Sequence, residues 1–129
     1  MSSKYSTGMK ESFKSEEESH LYSLLSRARD RSKKKKLKFD LDEWWLANKM
    51  NKGVCEVTGL PFSLERDKYN KRRFAPSIDK IDPDKGYTQD NCQLVCWMYN
   101  QMKFIWSHED LIFFCRAVLI AEAVRKNAL

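Results

Sequence analysis

Pro76-Ser77-Ile78-Asp79-Lys80-Ile81-Asp82-Pro83-Asp84-Lys85-Gly86-Tyr87-Thr88-Gln89-Asp90-Asn91-Cys92-Gln93-Leu94-Val95-Cys96-Trp97-Met98-Tyr99-Asn100-Gln101-Met102-Lys103 is the stretch on which the fold turns. Ser77 to Asp82 alternates apolar and polar residues, Pro83-Asp84-Lys85-Gly86 is a strong turn, and Cys92 to Val95 resumes extended character, so the pattern predicts a β-hairpin with a long connection. Cys96 to Lys103 then reads as a short helix. Asp79 and Asp82 lie near the end of the first arm, Asn91 opens the second, and Asn100 sits inside the helix. A helix packing back across the hairpin would bring Asp79 and Asn100 together, and two such oxygen donors suit one hard cation. Mg²⁺ keeps several waters and accepts one or two protein oxygens, whereas Zn²⁺ ordinarily asks for more nitrogen or sulfur.

On the N-terminal side, Leu21, Leu24, Leu25 and Ala28 recur at three- and four-residue spacings between Glu16 and Ser32, with acids early and arginines late, which predicts a helix. The run Lys33–Lys36 with Lys38 breaks that pattern. Asp40 or Asp42 then caps a second helix carrying Trp44, Trp45, Leu46 and Met50, closed by Gly53. Val54 to Phe74 reads as a loop or ribbon around the turn Thr58-Gly59-Leu60-Pro61. On the C-terminal side, Ser107 and Asp110 form a capping-box pattern, followed by Leu111, Phe114, Val118, Leu119 and Val124 in a long closing helix to about Lys126. The aromatic residues Trp44, Trp45, Trp97, Phe104, Trp106, Phe113 and Phe114 stand beside aliphatic residues at helical spacing, so we expect them to form core rather than to stack on bases.

At 129 residues the chain has the length of one ordinary domain, and residues 1–15, Ser/Lys-rich and aperiodic, read as a flexible basic tail before a domain over 16–129. No stretch approaches the roughly 18 uncharged apolar residues of a membrane span, and the first ten residues lack the apolar run of a secretory signal. An intracellular protein with no membrane partner is expected. Twenty-four Lys plus Arg against 18 Asp plus Glu give a formal charge of +6, which favours a polyanionic partner. Four cysteines in such a chain read as reduced thiols or metal ligands rather than a disulfide scaffold.

Taken as a set, Cys55-Glu56-Val57-Thr58-Gly59-Leu60-Pro61-Phe62, Pro76-Ser77-Ile78-Asp79-Lys80-Ile81-Asp82-Pro83, Gly86-Tyr87-Thr88, Asn91, Leu94-Val95-Cys96-Trp97 and Asn100 to Lys103 resemble, in order and spacing, the HNH or ββα-metal nuclease family, in particular its small phage and prophage members. The resemblance covers about residues 54–103. It implies an α+β fold in which a ββα-metal hairpin and helix are flanked by N-terminal helices and a long C-terminal helix. It also implies a metal-dependent DNA endonuclease or nickase working in the cytoplasm of a bacterial host. By position, Asp79 resembles the first metal ligand, Asn100 the helix ligand, and Asn91 the residue that braces the hairpin loop, around one Mg²⁺ or Mn²⁺. Lys80 falls where the family places its general-base histidine.

That departure shapes the chemistry. A lysine of ordinary pKa near 10.4 is protonated at neutral pH, so Lys80 is better suited to holding phosphate or stabilising charge than to accepting a proton. Asp82, or a water acidified by the metal, is the alternative for the base role. Zinc-bearing relatives carry two Cys-x-x-Cys pairs, but here the positions read Cys55-x-x-Thr58 and Cys96-x-x-Tyr99, so we expect no structural zinc. Lys68, Lys71, Arg72, Arg73 and Lys103, with the Lys33–Lys36 run, are the expected contacts to the DNA backbone, giving salt-sensitive and largely sequence-independent binding. The competing reading is an HNH-like module that has lost cleavage with its histidine and only binds DNA or a partner.

Overall fold

The computed structural model describes residues 15–128. The expected tail over 1–15 therefore lies outside the described residues except for Ser15, whose hydroxyl accepts the Glu18 N–H and caps the first helix, α1 (Glu16–Lys35). Leu21, Leu24, Leu25 and Ala28 form its buried stripe. The lysine run does not interrupt α1 as expected. Lys33 to Lys35 form its last turn, where cations oppose the negative helix end, and Lys36 terminates it in the left-handed conformation with its N–H on the Lys33 and Ser32 carbonyls. Of the two candidate caps for α2 (Glu43–Asn51), Asp42 is used, accepting the Trp45 N–H at 2.8 Å.

The centre is an antiparallel hairpin, β1 (Pro76–Lys80) and β2 (Cys92–Cys96), paired so that Ile78 opposes Leu94 and Asp79 opposes Gln93. Because side chains alternate across a strand, Ile78 and Leu94 join Leu21, Leu24, Leu25, Trp45 and Leu46 in one core, while Ser77 and Asp79 reach the short helix α3 (Trp97–Lys103). The layers are thus α1 and α2 on one face and α3 on the other. Each fully buried aliphatic side chain in such a core contributes about 1.5–3 kcal/mol.

Residues 54–74 form the expected irregular segment, with a single bridge between Val54 and Pro61. It docks on β2 through Glu56, whose N–H donates to the Leu94 carbonyl at 3.0 Å and whose carboxylate accepts the Leu94 N–H at 2.5 Å. Cys55, Val95, Cys96 and Tyr99 make a second, smaller core behind it. Burial, with Cys55 nearby, pushes the Cys96 thiol up to about 11.

The last helix, α4 (His108–Ala128), starts with the reciprocal capping box, the Asp110 N–H on Ser107 Oγ at 3.1 Å and the Ser107 N–H on Asp110 Oδ2 at 3.4 Å. Its packing overturns an expectation. No residue of α4 is buried, and only Leu111, near its start, packs against the second core. Trp44, Phe104, Trp106, Phe113 and Phe114, expected in the core, are all exposed; for Phe113 and Phe114 this is because α4 packs on the body only near its start.

The hairpin connection is tied to the α1–α2 link by Tyr87, whose N–H donates to Lys38 O and whose carbonyl accepts from the Asp40 N–H. Gly86 makes this approach possible: a Cβ there would collide with the Lys38 carbonyl oxygen. Gly86→Ala is expected to cost about 1–3 kcal/mol, read as a lower urea midpoint at unchanged slope.

Candidate functional site

Every residue from Ala75 to Lys80 lines one cleft of about 740 Å³, on the side of β1 away from β2. Its other walls are α1, α3 and the irregular segment. Six cations, Arg27, Arg31, Arg66, Lys71, Arg72 and Lys80, line it against a single carboxylate, Asp79. Asn100 and His20 are among its polar lining, with Asn70, Ser77 and Gln101.

Asp79 is 3% exposed and Lys103 1%. Lys103 Nζ donates to Asp79 Oδ1 at 3.0 Å and Oδ2 at 3.2 Å, and also to the carbonyls of Lys80 (2.6 Å) and Ile81 (3.3 Å). Gln93 Nε2 donates to Asp79 Oδ2 at 3.0 Å. This corrects the expectation that Lys103 touches the DNA backbone: its ammonium is surrounded by acceptors inside the protein and has none of the solvent access that phosphate contact needs. Three residues earlier on the same helix, Asn100 Nδ2 donates to Ser77 Oγ (2.9 Å) and Ile78 O (3.1 Å). The Ile78 carbonyl can only accept, so the amide orientation is set, and Oδ1 is left without a protein donor among the described residues.

Asn91 is consumed by the loop. Its Oδ1 accepts the Asp82 N–H at 2.9 Å, and its Nδ2 donates to Asp82 O (3.1 Å) and Gly86 O (2.9 Å). Asp82 belongs to the same turn, its Oδ1 accepting the Asp84 N–H at 3.0 Å, and it does not line the cleft beside Asp79. Lys80 reaches toward the hairpin connection at one end of the cleft, donating to Pro83 O at 3.0 Å with Nζ 5.0 Å from the Tyr87 ring centroid, both residues lining the cleft with it. Desolvation, reinforced by Lys35 and Arg31, holds its pKa below the ordinary lysine range.

Of the expected phosphate contacts, Lys71 and Arg72 line the cleft; Arg72 Nη2 lies 3.6 Å from Glu16 Oε2, and its buried Nε has no partner among the described residues. Arg73 instead pairs with Asp67 at 3.0 Å, and Lys68 lies over Tyr69 on the exposed surface. Sequence reasoning missed Arg27, Arg31, Arg66 and His20. The signal was present: His20, Leu24, Arg27 and Arg31 follow the 4-3-4 spacing of one helical stripe, and all four line the cleft. His20 Nε2 lies 2.8 Å from Pro76 O and must donate to it, which leaves Nδ1 as an unprotonated acceptor. Desolvation, aided by Arg27 and Arg72, keeps its pKa below 6.5. The other histidine, His108, bonds Tyr99 through Nδ1 at 2.9 Å and does not line the cleft.

The residues fit a hard cation better than a soft one. Asp79 retains acceptor capacity on Oδ1, Asn100 has a free amide oxygen, and both face the cleft. Among the described residues no group of three or more His, Cys, Asp and Glu side chains could hold a metal, so any ion here would keep most of its ligands as water or substrate oxygen.

The chain superimposes on a known structure. The rare-cutting HNH restriction endonuclease PacI superimposes with a TM-score of 0.54 at 15% identity, over 82% of this chain and 81% of that one. The fold is HNH-like. No family model matches the chain, and no curated protein does. The HNH-like fold explains why Asp79 and Asn100, 21 positions apart, share a cleft: the helix of the ββα unit must cross the first strand. No helix among the described residues is long and apolar enough to cross a membrane.

Breaking the Asp79–Lys103 pair is expected to be costly. Lys103→Met leaves a buried, unpaired carboxylate and lowers stability by about 3–5 kcal/mol, and adding Asp79→Asn recovers a large part of it, as a double-mutant cycle in urea would measure. The lowered pKa of His20 carries a definite sign. Stability from the neutral ring is complete above about pH 6.5 and is lost as pH falls through the lowered value. Thermal melts of His20→Gln between pH 7.5 and 5 are therefore expected to show a shallower loss than those of the parent chain.

Proposed function

We propose that the chain is a metal-dependent DNA endonuclease or nickase. The observation that carries this reading is the single carboxylate and free amide oxygen of an HNH-like ββα unit set in a cleft lined by six cations. Asp79 and Asn100 would hold Mg²⁺ or Mn²⁺, whose contribution is to neutralise charge on the oxygens of the scissile phosphate. Arg27, Arg31, Lys71 and Arg72 hold the neighbouring backbone. Lys80, fixed by Pro83 and Tyr87, adds a basic group at the far end of β1. His20 Nδ1 is the cleft's neutral nitrogen acceptor and the candidate for taking the proton from the attacking water, the role for which Lys80 is unsuited and Asp82 is misplaced.

A supercoiled-plasmid assay with Mg²⁺, Mn²⁺ and EDTA tests this reading. The parent chain should cleave only with metal. Asp79→Asn with Lys103→Met, which leaves no buried charge unpaired, should slow cleavage by about 100-fold or more while duplex affinity in EDTA changes little, and His20→Ala should flatten the acidic limb of the pH–rate profile. Arg27→Ala and Arg72→Ala should each reduce the salt slope of binding by about one. Cleavage by this double variant at the parental rate would reject Asp79 as a ligand. The second reading, a DNA-binding module without cleavage, is favoured by Lys80 at the family's histidine position; duplex binding with no nicking under any metal would establish it.

A further inference from the structure

We infer that the ring of Phe104 is a stacking platform for an unpaired nucleobase at the rim of the cleft, so that the chain favours DNA carrying an unpaired base over the fully paired duplex. The inference rests on the nucleic-acid reading of the cleft and names the form of DNA that the cleft prefers. Trp97, Asn100 and Gln101 of α3 and Phe104, which caps its C-terminus, follow helical spacing, and all four line the cleft. The Phe104 N–H donates to Asn100 O at 3.0 Å, so the ring stands one turn beyond the amide proposed to hold the metal.

Folding does not account for a phenylalanine here. Phe104 has φ 53° and ψ −120° and is the first central residue of a tight turn closed by the Trp106 N–H on Lys103 O at 3.0 Å. That is the place glycine takes in a type II′ turn, because a Cβ is crowded there. Burial does not offset the strain, since Phe104 is 71% exposed, the highest value among the described large hydrophobic residues. Strained backbone that presents a side chain outward is characteristic of ligand contacts. The surroundings specify the ligand: a groove whose six cations track a phosphate backbone, with an aromatic face at its edge, is the pairing of features that holds an unpaired strand. A base in an intact duplex turns only its edges to the grooves, so the ring meets a base face only where pairing is broken.

Fluorescence anisotropy of the full chain in EDTA tests this inference, with two labelled duplexes identical except for one unpaired adenine, and circular dichroism to verify folding. The parent chain should bind the form with the unpaired base about tenfold more tightly and quench a fluorescent adenine analogue placed there. Phe104→Leu, apolar but without a ring, should lose most of that preference and the quenching at an unchanged salt slope, since no phosphate contact is removed, and Phe104→Trp should keep both. Phe104→Gly should also lose the preference yet raise the urea midpoint, because the strain is relieved. Equal parental affinity for the two duplexes, or a folded Phe104→Leu variant that discriminates like the parent, overturns the stacking role and leaves the nucleic-acid reading standing. A Phe104→Gly chain less stable than the parent assigns the ring to folding and overturns the inference as well. Failure of the parent chain to bind either duplex overturns the nucleic-acid reading and this inference with it.

Discussion

The buried ion pair between Asp79 and Lys103 is the contact around which the hairpin and its helix are assembled. Withdrawing two charges from water costs several kcal/mol per ion, and Coulombic attraction alone does not reliably return it. Here Lys103 adds two backbone carbonyls and Asp79 adds Gln93, so the remaining donors and acceptors are also satisfied. A weakly built pair would let α3 slide along β1. This one admits a single placement, and that placement puts Asn100, one helical turn earlier, over Ser77 and Ile78. The charge pair thus specifies geometry more than it adds stability, and the geometry it specifies is that of the cleft.

Around this anchor the cations are distributed by role. Lys103 is inside, neutralising Asp79; Lys80 is half-buried and tied to its own turn; Arg27, Arg31, Lys71 and Arg72 remain on the cleft wall. Low dielectric beneath them strengthens the pull on an anion relative to the same charges on an open surface. Asp67 works in the opposite sense, removing Arg73 from the set and folding the loop that presents Lys71: it accepts the Tyr69 and Lys71 N–H groups, and the Lys71 bond leads the causes that hold its pKa below the usual carboxylate range.

Much of this was readable residue by residue. The alternation of Ser77 to Asp82, the turn after Pro83 and the extended Cys92 to Val95 run located the hairpin, since a strand's period of two leaves a direct mark on composition. The leucine stripe of α1 and the Asp42 and Ser107 caps were equally local signals. Lys103 was misread because a lysine at a helix end has the same local appearance whether solvated or buried. His20 and the arginines of α1 were overlooked for a related cause: 56 residues separate His20 from the carbonyl it bonds.

The linear chain by itself determined the order of elements, the caps, the hairpin and the residue types brought to its two arms, because each depends on neighbours within a few positions. Only the tertiary structure decided which lysine neutralises Asp79, which helix closes the cleft and that α4 stands free of its own body. Those outcomes depend on burial and on contacts between distant segments, where the cost of removing a charge or an apolar face from water is settled by what lies opposite, and no local pattern encodes what lies opposite.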